Sequence, residues 1–234
     1  MCVSAAVRAL KECGVRTQFS FSSPEECAQM LAQVCPHSRA ALIFDEEGCA
    51  ESYRVALAPF RPVCFLLQER AFTPLFSLDD DFRIAVGIGE NSMAAARFFA
   101  TLRCGVSLLV PLRPSAKGAF EPFAPPPFSG YPLADADFFA PSPALAEEAE
   151  TTAEAALSAL CAAELRLDSL FSGKEHKTDL FDEAADLAAE GGAEKTLCAS
   201  VLSALALRGA ASPFACTEAF SALRRQDKRF PAFP

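Results

Sequence analysis

The chain has 234 residues, 51% of them hydrophobic, which is enough for a real core in one large domain or two small ones. Its net charge of -9 argues against nucleic acid and anionic membrane as main partners. Mean hydropathy is high at +0.20, yet no apolar run reaches the ~18 residues of a bilayer span, so no membrane insertion is expected.

At the N-terminus, "MCVSAAVRALKECG" has an apolar stretch too short for a signal peptide, broken by Arg8, Lys11 and Glu12. A cytoplasmic protein is therefore expected. Residues 1–38 read as helical and irregular, with Pro24 opening a short helix in "SPEECAQMLAQV". Four apolar runs follow: "AALIF" (40–44), "PVCFLLQ" (62–68), "FRIAVGIG" (82–89) and "GVSLLVPL" (105–112). Continuous apolar runs of this length suit parallel strands buried on both faces. Between the last two lies "ENSMAAARFFATLRC", whose apolar residues at 94, 95, 98, 99 and 102 recur at helical spacing. Strands alternating with helices predict a parallel sheet.

From Pro111 to Pro143 the chain reads as loop, and "PFAPPPFSGYP" suggests a joint between domains. Beyond it come helical patterns: a long alanine-rich helix over 143–171, another over 178–190 stopped by Gly191 and Gly192, and a third over 193–209. A short fourth begins near Ala215. The expected organisation is an α/β Rossmann-like domain over 1–130 and an all-helical domain over 131–234. The ten cysteines are irregularly spaced, contain no CxxC and often sit inside apolar runs, so reduced thiols are expected. His37 and His176 are the only imidazoles, and no spacing supports zinc among these groups.

The order of these motifs resembles the sn-glycerol-1-phosphate dehydrogenases, within the group that holds dehydroquinate synthase and the iron-containing alcohol dehydrogenases. "IFDEEG" (43–48) resembles the family's first strand and D-E-N-T turn. "IAVGIGENSMAAARFFA" resembles its strand, glycine turn and pyrophosphate-binding helix. "VPLRPSAKGAFEP" (110–122) resembles the loop near nicotinamide and substrate, and "PLADADFFAPSPA" the I-A-D segment. "AELRLDSLFSGKE" and "VLSALALRGAASPFACTEAF" resemble two helical segments further on. The resemblance implies an N-terminal Rossmann-like domain with a parallel sheet, a C-terminal helical domain, NAD or NADP as cofactor, and zinc between the domains.

Carried over residue by residue, Gly87 and Gly89 would approach the pyrophosphate. Asp45 would accept from a ribose, or equally cap the helix that follows it. Ser115 would lie at the cofactor and Lys117 at the substrate. Glu154 would be the one metal ligand kept. The departures are specific. Glu90 stands where the family has Ser or Thr donating to phosphate, and Met93 where it has Asp. Lys117 replaces an Asp, reversing the charge. Thr151, Thr152 and Ala153 replace the glycines before Glu154. Ala219, after Glu218, replaces the first His, and the second His would lie beyond Pro234. One carboxylate of three ligands cannot hold zinc tightly. The expectation is a shortened dehydrogenase-type protein with impaired or lost catalysis. The alternative is a pseudoenzyme serving as a binding or scaffolding module, whose uncovered helical face meets a partner or a second copy.

Overall fold

The computed structural model describes residues 2–67, 73–124, 130–147 and 178–206. In chain order these form α1 (Cys2–Glu12), β1 (Gln18–Phe19), α2 (Pro24–Val34), β2 (Arg39–Phe44), α3 (Glu51–Ala56), β3 (Val63–Leu66), β4 (Phe82–Ile88) and α4 (Glu90–Arg103). There follow β5 (Val106–Val110), β6 (Phe138–Phe139), α5 (Pro143–Glu147), α6 (Thr178–Glu190) and α7 (Ala193–Ala206). The strands make one six-stranded sheet, ordered β1-β6-β5-β4-β2-β3, and every neighbouring pair is parallel.

Each central strand serves two cores because alternate side chains point to opposite faces. Ala41 and Ile43 of β2 join Ala6 and Leu10 of α1, Phe99 of α4 and Leu197 of α7 on one face. Ala40 and Leu42 join Cys27 and Leu31 of α2 and Tyr53 of α3 on the other. This double burial is why β2, β4 and β5 read as unbroken apolar runs; β3, at the sheet edge, is only partly buried. The start of α2 is set locally. Ser23 and Glu26 form a reciprocal capping box, with Pro24 in the first turn. At the other end of the chain, α6 stops before Gly191 (φ +71°) and Gly192 (φ +93°), as the double glycine predicts.

Two strands escaped the sequence reading. β1 lies in a stretch read as helical and irregular, and β6 in the stretch read as loop. Each has only two residues, too few for any periodicity to register. They exist because β5 offers a template: Leu108 and Leu109 pair with Phe138 and Phe139, which in turn pair with Gln18 and Phe19. The buried Thr17 hydroxyl fixes the junction by donating to the Ala136 carbonyl at 2.6 Å.

A separate all-helical domain is not seen among the described residues. α7 shares its core with α1 and the sheet, through Leu197, Val201 and Leu202, and Arg8 of α1 reaches Glu183 of α6 at 2.6 Å. Of the helix expected over 143–171, only α5 falls among the described residues. The helix near Ala215, Glu154 and its neighbours, and Glu218 with Ala219 lie outside them. Eight described cysteines are free thiols, with Cys2, Cys27 and Cys198 buried. Burial pushes the Cys27 thiol up to about 12, so it behaves as a small apolar side chain. No helix among the described residues is long and apolar enough to cross a membrane.

Candidate functional site

The connection from β2 runs outward to β3, then returns across β2 to β4 and continues to β5. The order therefore reverses between β2 and β4, and open parallel sheets bind ligands beyond the carboxyl ends of strands at such a point. Here β2 delivers Asp45, and β4 delivers the turn into α4. The turn has the expected strand–turn–helix shape. Gly89 is the N-cap of α4 at φ +102°. A Cβ on Gly87 would collide with the backbone of Ser92, so its absence lets the helix sit directly on its strand.

Asp45 decides what this turn can hold. Its backbone N–H extends the sheet by donating to the Ile88 carbonyl at 3.1 Å. Its carboxylate accepts from the Asn91 N–H at 3.1 Å, the Ser92 N–H at 2.9 Å and the Ser92 hydroxyl at 2.6 Å. Those N–H groups are the anion-binding donors of a helix start. A carboxylate at the positive end of α4 is itself favourable, and it lies where a phosphate would be cradled. A Cβ on Gly89 would collide with this carboxylate, so that glycine serves the contact to Asp45. Asp45 is thus a helix cap, though not for the helix that follows it. The N-cap of α3 is Ala50, with no side-chain cap bond, and Asp45 caps α4 instead. The buried Ser92 hydroxyl, passed over in the sequence, completes the arrangement.

The two charge departures meet. Glu90, in the first turn of α4, pairs with Lys117 at 3.3 Å. The loop over 111–124 is folded down onto α4 to allow this. Gly118, at φ +83°, lies so close that a Cβ there would strike the Glu90 carbonyl. Its N–H donates to Glu121 at 2.9 Å. The Ser115 hydroxyl accepts from the Lys117 N–H at 3.2 Å, and the Ala116 N–H donates to Ser200 of α7 at 2.8 Å. Arg97, also passed over, anchors the loop from beneath. It is 1% exposed and donates to the carbonyls of Glu121 (2.8 Å) and Ala134 (2.8 and 3.3 Å). Its signal was an arginine inside the apolar helix pattern "MAAARFFA".

Lys117 is 70% exposed along its side chain, and ion pairs of this kind contribute little. Replacing Lys117 by Ala should therefore shift the urea unfolding free energy by less than about 0.5 kcal/mol. A larger loss would mean that the pair, and not the backbone, holds the loop down.

A cleft of about 240 Å³ remains beside the turn, lined by Asp45, Glu46, Glu90 and Asn91 together with Arg113. A second of about 140 Å³ lies between α4 and the loop, lined by Glu90, Asn91, Lys117 and Phe123. A pyrophosphate entering the first would meet three carboxylates and one arginine. As arranged, these residues do not fit the pyrophosphate of NAD or NADP, because the helix N–H groups are already bonded to Asp45. Nor do the described residues bring together three His, Cys, Asp or Glu that could hold a metal. Glu154 lies outside the described residues.

No protein-family profile matches the chain, and no curated protein does. Solved structures do match in fold. The maleylacetate reductase from Agrobacterium tumefaciens superposes with a TM-score of 0.58 at 13% identity, over 82% of this chain and 63% of that one. An iron-containing alcohol dehydrogenase gives 0.57 at 15%, over 92% and 73%. The sulfoacetaldehyde reductase from Bifidobacterium kashiwanohense, in complex with NAD+, gives 0.57 at 11%, over 92% and 70%. The chain thus has the Rossmann-like parallel-sheet fold of iron-containing alcohol dehydrogenase-type proteins. It spans under two thirds of the length of the reductase from Agrobacterium tumefaciens.

Proposed function

We propose that this chain is a non-catalytic protein of the alcohol dehydrogenase-type fold, a binding or scaffolding module that does not turn over NAD(P). One observation carries this reading: the Asp45 carboxylate takes the Asn91 and Ser92 N–H groups that would hold a pyrophosphate. Glu90 adds a second negative charge to the same cleft. Hydride transfer needs the cofactor held against its substrate, and the proposed module lacks that seat. The test is calorimetric titration of the purified chain with NADH and NADPH, with and without zinc. The expected result is no binding up to millimolar nucleotide. Micromolar binding to the wild-type chain overturns the reading.

A second reading has support from Arg113, the one cation on the cleft, and from the cleft's place at the strand-order reversal. In it the chain remains an NAD(P)-dependent, metal-dependent dehydrogenase of the sn-glycerol-1-phosphate type, acting on a small polyol phosphate. Gly87, Gly89 and Ser115 would hold the cofactor, Asp45 its ribose, Lys117 the substrate and Glu154 a metal. That reading requires Asp45 to leave the end of α4. Under either reading we place the protein in the cytoplasm, with a second copy or another protein docking on its helices.

A further inference from the structure

Arg39 opens β2 and Val63 opens β3, so both mark the amino edge of the sheet. Asp45 follows the far end of the six-residue β2, roughly 20 Å away at the rise of a strand. An open groove of about 710 Å³ crosses this amino edge, lined by Arg39, Arg54, Arg61, Pro62, Val63 and Cys64. Three arginines on one groove stand out in a chain of net charge -9.

Each arginine is held differently. Arg54 is committed to Glu51, with Nε and Nη2 donating at 2.9 and 2.7 Å. Arg39 stacks over the Phe82 ring, 4.1 Å from its centroid. Its nearest carboxylate, Asp81, is 3.8 Å away, beyond hydrogen-bond distance, and its buried Nε–H has no acceptor. A buried donor without a partner is costly and asks for an explanation. Arg61 has no ion pair among the described residues and sits at φ 45°, ψ 62° after the 3-10 turn Ala58–Phe60. That left-handed conformation favours Gly or Asn over a long side chain. Among the described residues the groove is thus lined by three arginines and no carboxylate. Arg54 is spent on Glu51 and the Arg39 Nε is buried, which leaves the Arg39 Nη groups and the Arg61 guanidinium for a ligand. Pro62 and Val63 supply an apolar wall.

Guanidinium forks match phosphate oxygens two by two. We propose that this groove binds a small organic diphosphate of the nucleoside diphosphate class, its phosphates on Arg39 and Arg61 and its apolar body on Pro62 and Val63. The site is separate from the cleft beside Asp45 and stands whether or not that cleft is closed.

The test is calorimetric titration of the whole chain with ADP and with inorganic pyrophosphate at two salt concentrations. Sub-millimolar binding that weakens with salt is expected, tighter for ADP. Arg61→Gly should weaken ADP roughly tenfold, the loss of one charge-assisted contact. The same change should raise Tm by about 2–4 °C, since glycine adopts the left-handed conformation freely. Arg39→Gln should weaken ADP as well. Bound ADP should slow alkylation of the exposed Cys64 in the groove and leave the exposed Cys104 unchanged. The proposal is overturned if neither compound binds at millimolar concentration. It is equally overturned if binding is undiminished in both variants and Cys64 is not protected.

Discussion

Replacing Asp45 by Ala should lower the unfolding free energy by about 2–3 kcal/mol, the sum of a lost N-cap and a lost charged acceptor. Three donors depend on this carboxylate, and one is a fully buried serine hydroxyl. Left without an acceptor, each costs part of its desolvation. Asp45→Asn keeps the shape with a single side-chain acceptor oxygen and should cost less than the alanine change. Urea unfolding of the three proteins measures the series. A residue kept only to meet a ribose would leave the midpoint where it is, so an unchanged midpoint defeats the cap. The alanine variant makes a second, opposite prediction. With the carboxylate gone, the end of α4 regains the anion-binding donors of an ordinary helix start. Added phosphate should then raise the Tm of the variant more than that of the wild type, by linkage to the native state. The same substitution would lower stability and open a seat for an anion.

The fold was legible where burial is two-sided. β2, β4 and β5 show as apolar runs because Ala40 to Ile43, Ile84 to Ile88 and Leu108 to Val110 are nearly all buried against helices on both faces. The helix over 90–103 showed for the same reason. β1 and β6 did not, since their pairing energy comes from β5 and leaves no pattern in two residues. The turn at Gly87 and Gly89 was legible as a shape. Its chemistry was not, because the deciding partner, Asp45, lies 46 residues before Asn91. Read alone, Asp45 suits a ribose or a local cap equally well. Glu90 and Lys117 were legible only as two separate departures from a family pattern. Their meeting at 3.3 Å depends on how the loop folds back onto α4, which no local spacing encodes. The pair sets one positive charge of the loop against one negative charge of the helix, and the cleft beside Asp45 keeps an excess of carboxylates.

Arg97 should prove more sensitive to substitution than Asp45. Arg97→Met keeps an apolar stem of similar length in the core but removes every donor. The carbonyls of Glu121 and Ala134 would then lose the guanidinium that bridges them. At about 1.5–3 kcal/mol for hydrogen bonds to a charged group, plus imperfect repacking, a loss of about 3–4 kcal/mol in unfolding free energy is expected. Arg97→Lys should recover only part, because one ammonium cannot reproduce a planar fork that serves two carbonyls. Limited proteolysis gives the local readout. In the methionine variant the loop over 111–124 should be cut faster than in the wild type, while α2 and α3, packed on the opposite face of the sheet, should keep their protection. If both regions loosen equally, Arg97 is a core residue and nothing more. If the loop alone loosens, Arg97 is what holds Lys117 over Glu90. The lining of the cleft between α4 and the loop, Lys117 and Phe123 included, would then be set by a buried arginine that does not line it.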